Sequence, residues 1–203
     1  MPRATVARLP VYLQCLDGLP TDRQTVSSEE LAAASNVTAA QVRKDLSHLG
    51  SNGVRGVGYD TQRLRRLIQR ELGLTGDVPV AIVGVGNLGT ALANYQGFGE
   101  RGFRIVALFD SHPAKVGASV RDHTIRHLDQ LDPKAGIAIG IIATPGEAAQ
   151  QVADRLAGAG VRSILNFAPA VVRVPPGVEV RNVDLSTELQ ILSFYLAHPA
   201  KAG

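Results

Sequence analysis

What this chain lacks narrows its function first. It has one cysteine, Cys15, so it holds no internal disulfide and no Cys-rich metal cluster. Cys15 falls on a helical apolar stripe with Leu9, Tyr12, Leu16 and Leu19, the setting of a small core residue rather than a thiol sensor. No apolar run is long enough to span a bilayer. Arg3 and Arg8 lie near the start, but Pro10, Tyr12 and Gln14 interrupt any signal-peptide core, so the expectation is a cytoplasmic protein with no membrane partner. Internal repeats and low-complexity segments are missing. The histidines His48, His112, His123, His127 and His198 fall at no spacing that pairs them with a catalytic acid or base. The sequence therefore assigns no catalytic residue, no metal ligand and no protein substrate.

What is present is ordinary for a globular protein: 203 residues, 45% hydrophobic and 19% charged, enough for one large or two small domains. The formal net charge of +3 is unevenly placed. Residues 1–75 hold 10 Lys and Arg against 7 Asp and Glu, whereas residues 76–203 hold 11 against 11. The excess positive charge is thus N-terminal, a modest footprint of the kind nucleic-acid contacts require.

The most informative stretch is Val80 to Asp110. An apolar run, Val80 to Val83, meets a turn with Gly84, Gly86 and Gly89, and a helical pattern follows with Leu88, Ala91, Leu92 and Tyr95 on one face. A second apolar run, Ile105 to Phe109, ends at Asp110. Strand, glycine turn, helix, strand and acid together form the dinucleotide fingerprint of a Rossmann-type parallel sheet. Gly84 permits the tight turn, Gly86 lets the backbone approach a pyrophosphate, and Gly89 lets helix and strand pack closely. Val85, Asn87 and Leu88 complete the turn at a helix N-terminus, which attracts phosphate. A carboxylate at Asp110 accepts ribose hydroxyls and repels a 2′-phosphate, and Ser111 and His112 bring no arginine to neutralise one, so the cofactor reads as NAD(H). Further along, Gly136 to Ile142 reads as a buried strand ending at Thr144-Pro145, where ligands sit in open α/β sheets. Glu147 to Ala159 reads as a helix with Ala148, Val152, Leu156 and Ala159 inward, and Ser163 to Leu165 as a strand leading to Asn166-Phe167, candidate neighbours of a nicotinamide. Val171 to Val183 reads as short strands, and Leu185 to Leu196 as a closing helix with enough apolar surface to need a partner.

N-terminal to this lies a second motif. Ser27 with Glu30 and Thr38 with Gln41 are two capping boxes around the turn Ser35-Asn36-Val37, a helix-turn-helix with Leu31 and Ala34 inward on its first helix. Val42, Leu46 and Leu49 form the buried face of the second helix. Gln41, Arg43, Lys44, Ser47 and His48 point away from that face, positioned to reach base edges or phosphates in a major groove. Gly50 to Asp60 reads as a small hairpin, the wing of a winged helix, with Arg55 at its tip. Thr61 to Gly73 is an amphipathic helix bearing Arg63, Arg66 and Arg70.

The two halves together resemble the Rex family of bacterial redox-sensing transcriptional repressors. The resemblance covers nearly the whole chain through RLPVYL (Arg8–Leu13), SSEELA (Ser27–Ala32), VRKDLS (Val42–Ser47), RGVGYD (Arg55–Asp60), GVGNLG (Gly84–Gly89), ILNFAP (Ile164–Pro169) and NVDLS (Asn182–Ser186). It implies a homodimer that binds palindromic double-stranded DNA operators of respiratory and fermentative genes and is released by NADH. It also implies that the closing helix crosses to the other subunit, and that Tyr95 and Asp184 exchange hydrogen-bond partners as the dimer closes. The chain departs from the family pattern at His48 and Asn52, usually tyrosines, and at Gln14, usually an arginine that couples nucleotide state to dimer geometry through the position of Asp184. The resulting expectation is a winged-helix domain over residues 1–75, an NAD(H)-binding Rossmann domain over 76–183 and a dimer-linking helix over 184–203. The rivals are an NAD-dependent oxidoreductase and a CoA-binding protein without a role on DNA.

Overall fold

The computed structural model describes residues 1–51 and 53–198; Asn52, one of the departures from the family pattern, and the last five residues lie outside the described residues. The chain divides into two compact units, Met1–Gly76 and Asp77–Gly203.

The first unit runs α1 (Arg3–Asp17), β1 (Thr25–Val26), α2 (Ser28–Ser35), α3 (Ala39–Ser47), β2 (Tyr59–Asp60) and α4 (Thr61–Glu71). Its core takes Leu9, Tyr12 and Leu16 from α1, Leu31 and Ala32 from α2, Val42 and Leu46 from α3, and Leu64 and Ile68 from α4. Helical spacing of these apolar residues is what fixes the inward faces. Ala32 rather than Ala34 points inward on α2, and Ala34 is exposed. The Ser27 hydroxyl accepts from the Glu30 amide at 3.1 Å and the Glu30 carboxylate accepts from the Ser27 amide at 2.8 Å, a complete capping box. Asn36 ends α2 in the left-handed region with φ 52°. The second box is only half formed: Thr38 accepts from the Gln41 amide at 3.2 Å, but the Gln41 side chain turns to Asp45 at 2.9 Å. The 50–60 segment is also less regular than a hairpin. Val54 and Gly58 exchange two backbone bonds of 2.8 Å around the Arg55 loop, while β2 pairs antiparallel with β1.

The second unit runs β3 (Val78–Val83), α5 (Asn87–Asn94), β4 (Phe103–Asp110), β5 (Ser119–Val120), β6 (His123–His127), β7 (Ile139–Ile142), α6 (Gly146–Gly158), β8 (Ser163–Asn166), β9 (Glu179–Asn182) and α7 (Leu185–Ala197). The sheet order is β5-β6-β4-β3-β7-β8-β9, with only β5 antiparallel. Counting parallel strands alone, the order is third, second, first, fourth, fifth, sixth, the doubly wound arrangement whose switch point lies between β3 and β7. One sheet face, with Ala81, Val83, Phe109 and Ile142, packs on α6 through Ala149, Val152, Ala153 and Leu156. The inward residues of α6 are therefore these four, not Ala148 and Ala159. The other face carries Val80, Ile82, Leu108 and Ile141. It leaves an apolar hollow of about 310 Å³ that Phe98 and Phe103 also line.

Three boundaries differ from the sequence reading. β7 begins at Ile139 because Gly136 closes a short 3-10 turn with φ 64°. A single strand, β9, forms in the 171–183 stretch. α5 ends at Asn94, buries Gly89 and Ala93, and leaves Leu88 and Ala91 exposed, with Tyr95 beyond its end. α7 buries no residue, and its apolar side chains stand 46% (Ile191) to 84% (Leu196) exposed. Among the described residues no helix is long and apolar enough to cross a membrane.

Candidate functional site

At the carboxyl ends of β3, β4 and β7 the second unit opens into a cleft of about 480 Å³. Gly84, with φ 93°, turns the chain out of β3, and a Cβ there would sit 2.7 Å from the Ala143 carbonyl oxygen. A Cβ on Gly89 would overlap the Gly84 carbonyl oxygen, so α5 starts as close to the strand as backbone allows. A Cβ on Gly86, by contrast, meets nothing within 4 Å: it faces the open cleft beside the first amides of α5. Unsatisfied helix-terminal amides and this bare backbone form a cradle for phosphate. Across the cleft, Thr144 and Pro145 line the wall, and the buried Thr144 Oγ1 has no hydrogen-bond partner among the described residues. An orphaned buried hydroxyl costs stability unless something meets it. Cradle and orphan together fit a ligand carrying both phosphates and hydroxyls.

Asp110 ends β4 at the cleft, only 6% exposed. Its Oδ2 accepts from the Val85 amide at 2.8 Å and its Oδ1 from the His112 amide at 2.9 Å. Val85 is thus spent on fastening the glycine turn to β4. Burial pushes the Asp110 carboxyl up, but the His112 and Val85 amides and Lys115 outweigh it and hold it below the ordinary carboxylate range. Lys115, His127, Asp129, Gln151 and Arg155 also line the cleft, and none of the five stands out as a site residue in the sequence. Arg155 pairs with Asp129. Lys115 is within reach of sequence reasoning, since it follows Asp110 on the same loop; Arg155 comes from the third turn of α6 and only the fold brings it in.

Of the residues assigned to the cofactor, Val85, Asn87, Leu88 and Gly89 of the turn do not line this cleft, nor do Asn166, Phe167 and Tyr95. Asn166 is 0% exposed, and its amide donates to Ala170 O at 2.8 Å and Asn182 Oδ1 at 3.0 Å and accepts from the Ala168 amide at 3.0 Å. Its polar atoms are taken inside the protein, so it shapes the loop after β8 rather than offering itself to a ligand. Phe167 is half-buried against the β3 face of the sheet. Tyr95 is 53% exposed and meets Phe98 edge-on at 5.1 Å. Asp184 caps α7, accepting from the Ser186 amide at 2.9 Å and the Ser186 hydroxyl at 2.6 Å. Those bonds from the Ser186 hydroxyl and amide hold its carboxyl below the usual range. Gln14 is exposed on α1.

In the first unit, α3 shows Arg43, Lys44, Ser47 and His48 to solvent, and Arg55 stands at the wing loop's tip. Arg43 is not loose: its guanidinium donates to Ser28 Oγ at 2.9 Å and lies 3.5 Å from Glu29. Ser47 donates to its own helix at Lys44 O, 2.7 Å. Gln41 is half-buried and bonded to Asp45, so it braces the helix from inside. Arg43, Arg55, Ser28 and Tyr59 line a groove of about 630 Å³ between the wing and α2–α3. Beneath it lies a cluster that the sequence reading passes over. Asp45, 0% exposed, accepts from Thr5 Oγ1, Arg8 Nε and Nη2, Tyr12 OH and Gln41 Nε2. Burial pushes the Tyr12 hydroxyl up to about 12, assisted by Asp45. One signal of it is visible in the sequence: a carboxylate at i+3 within the apolar Val42–Leu46–Leu49 stripe.

Comparison with known proteins agrees with both halves. Residues 75–170 match the family model "CoA binding domain" and residues 1–47 the model "Putative DNA-binding protein N-terminus". The chain is 60% identical over 208 residues to the redox-sensing transcriptional repressor Rex of Streptomyces avermitilis, covering 100% of this chain and 81% of that one. To the Rex of Desulfitobacterium hafniense it is 48% identical over 200 residues, covering 96% and 94%. Among solved structures, RSP in complex with β-NAD⁺ and operator DNA superposes with a TM-score of 0.90 at 37% identity, covering 97% of this chain and 92% of that one. RSP in complex with β-NADH gives 0.86 at 36% identity, covering 97% and 94%.

Proposed function

The chain belongs to the Rex family of redox-sensing transcriptional repressors, and we propose that it binds a DNA operator as a homodimer and leaves it when NADH enters the cleft. It is a regulator rather than an enzyme, as its relatives are. The observation that carries the reading is the joining of two sites in one chain: a winged helix with an exposed cationic helix, and a parallel-sheet cleft with a phosphate cradle and an orphaned hydroxyl. The match to a CoA-binding model covers only the second of these, and its α/β architecture is common to both ligand classes.

In this reading the Gly84–Gly89 turn and the start of α5 hold the diphosphate, and Asp110 and Thr144 meet the hydroxyls. When bound, NAD(H) supplies a ring that is flat and cationic in the oxidised form and neutral and puckered in the reduced form. A ligand shifts a two-state equilibrium only by its differential affinity for the two states. Discrimination therefore acts where the ring lies, on the β7–β8 side, near Tyr95 and the loop that Asn166 shapes. Lys44, Arg43, Ser47, His48 and Arg55 face the operator, and two copies of α3 related by a two-fold read two half-sites. α7, apolar and uncovered in its own chain, packs on the second subunit, which brings Asp184 beside the partner's cleft. A repressor that works on the chromosome of a bacterium works in the cytoplasm.

The test is an operator-binding titration at fixed total nucleotide and varied NADH/NAD⁺ ratio. Loss of binding as NADH rises supports the reading. Operator affinity untouched by saturating NADH sinks it.

A further inference from the structure

Lys115 places its Nζ 3.1 Å from Oδ2 of Asp110, at the end of the cleft where the acid of the second strand meets a ribose. The sequence alone credits rejection of a 2′-phosphate to Asp110, because its immediate neighbours supply no arginine. The structure adds a cation that sits on the carboxylate itself. Asp110 already accepts from the Val85 and His112 amides as well. Oδ1 carries only the His112 bond, while Oδ2 carries those of Val85 and Lys115, so Oδ1 has room for a ribose hydroxyl. The Lys115 side chain is 41% exposed, and only one of its ammonium donors is needed for Asp110. The other cation at this end, Arg155, is paired with Asp129, which His127 also approaches at 3.3 Å. Each cation therefore has its own acid, and the pocket is charge-balanced.

We propose that the Asp110–Lys115 pair, rather than Asp110 alone, determines which dinucleotide the cleft accepts. Lys115 is a phosphate-binding cation that Asp110 keeps neutralised. Its ammonium stands where a ribose 2′-substituent must come if Asp110 is to touch the 2′-hydroxyl. Removing the acid exposes a cation to a 2′-phosphate. Removing the lysine instead leaves Asp110 unscreened and more repulsive. The inference rests on the reading that this cleft binds a dinucleotide.

The experiment measures NADH and NADPH binding to the full-length protein by nucleotide fluorescence, with competition by the weaker nucleotide into the millimolar range. Asp110→Asn should raise the NADPH-to-NADH affinity ratio roughly tenfold, the scale of one charge-assisted hydrogen bond gained and one repulsion lost. Adding Lys115→Gln to that variant should abolish the gain. Lys115→Gln alone should lower the ratio several-fold below wild type, and it leaves both amide bonds to Asp110 in place, so it stays informative if Asp110→Asn loosens the glycine turn. An unchanged ratio in Lys115→Gln, with NADH still bound, overturns this proposal and leaves the repressor reading intact. A wild-type protein that binds neither nucleotide overturns both.

Discussion

Arg8 on α1 and Asp45 on α3 meet as a fork, with Nε donating to Oδ2 at 2.6 Å and Nη2 to Oδ1 at 2.9 Å. Tyr12 and Thr5 of the same α1 donate to the same buried carboxylate. The first helix and α3 thus share one rigid joint, and α3 cannot turn without α1. Removing one partner of a buried ion pair leaves the rest unpaired, so Asp45→Ala should destabilise the protein by about 3–5 kcal/mol, measured by urea unfolding. The same joint sets an acid limit. Burial pushes the Asp45 carboxyl up, but Arg8, Tyr12, Gln41 and Thr5 together hold it well below the usual range. A depressed carboxylate stabilises fully above its unfolded value, about 3.9, and loses that contribution as pH falls below it. Stability of the wild type should therefore fall more steeply below about pH 4 than that of Asp45→Asn.

Lys44 is exposed on α3 and stands outside the core of the first unit. Lys44→Ala should weaken operator binding and reduce its salt dependence by about one unit of slope, with melting temperature unchanged. Unaltered affinity and slope would remove Lys44 from the interface.

Gly89→Ala places a Cβ into the Gly84 carbonyl. Neither backbone can retreat without opening the α5–β3 contact. The expected result is loss of NADH binding with the first unit still folded, seen as a failed nucleotide titration alongside retained operator affinity.

Gln14 occupies an exposed position on α1 where the family resemblance expects arginine. The resemblance implies that an arginine there pairs with Asp184 in one dimer state. Gln14→Arg should shift the NADH/NAD⁺ ratio at which the operator is released. An identical release curve for both proteins would show that this position does not set the balance.

The parallel sheet was legible because its cause is local: apolar runs, glycines and a terminal acid at fixed offsets along one stretch of chain. The helix-turn-helix was legible for the same reason, through Ser27, Glu30 and Thr38. What stayed hidden depends on pairings across the fold. Nothing near Asp45 in sequence announces Arg8 or Tyr12, and nothing near Asp129 announces Arg155. Asn166 stands at a strand's carboxyl end, where a ligand contact is expected, but its bonds to Ala168, Ala170 and Asn182 come from the loop after β8 and from β9, which the sequence does not pair with it. Helical periodicity marks a face without saying whether the same chain covers it: Leu88 and Ala91 are exposed, and Tyr95 lies beyond the end of α5.

α7 is folded but covers nothing of its own, from Leu185 to Ala197. On the proposed packing of α7 against a second subunit, part of the native structure is assembled between chains rather than within one, and unfolding is tied to dissociation. Mass action then sets the midpoint of thermal denaturation, which climbs as protein concentration rises. A cell making few copies would hold a repressor both scarcer and individually more fragile, so its abundance and its durability are one variable.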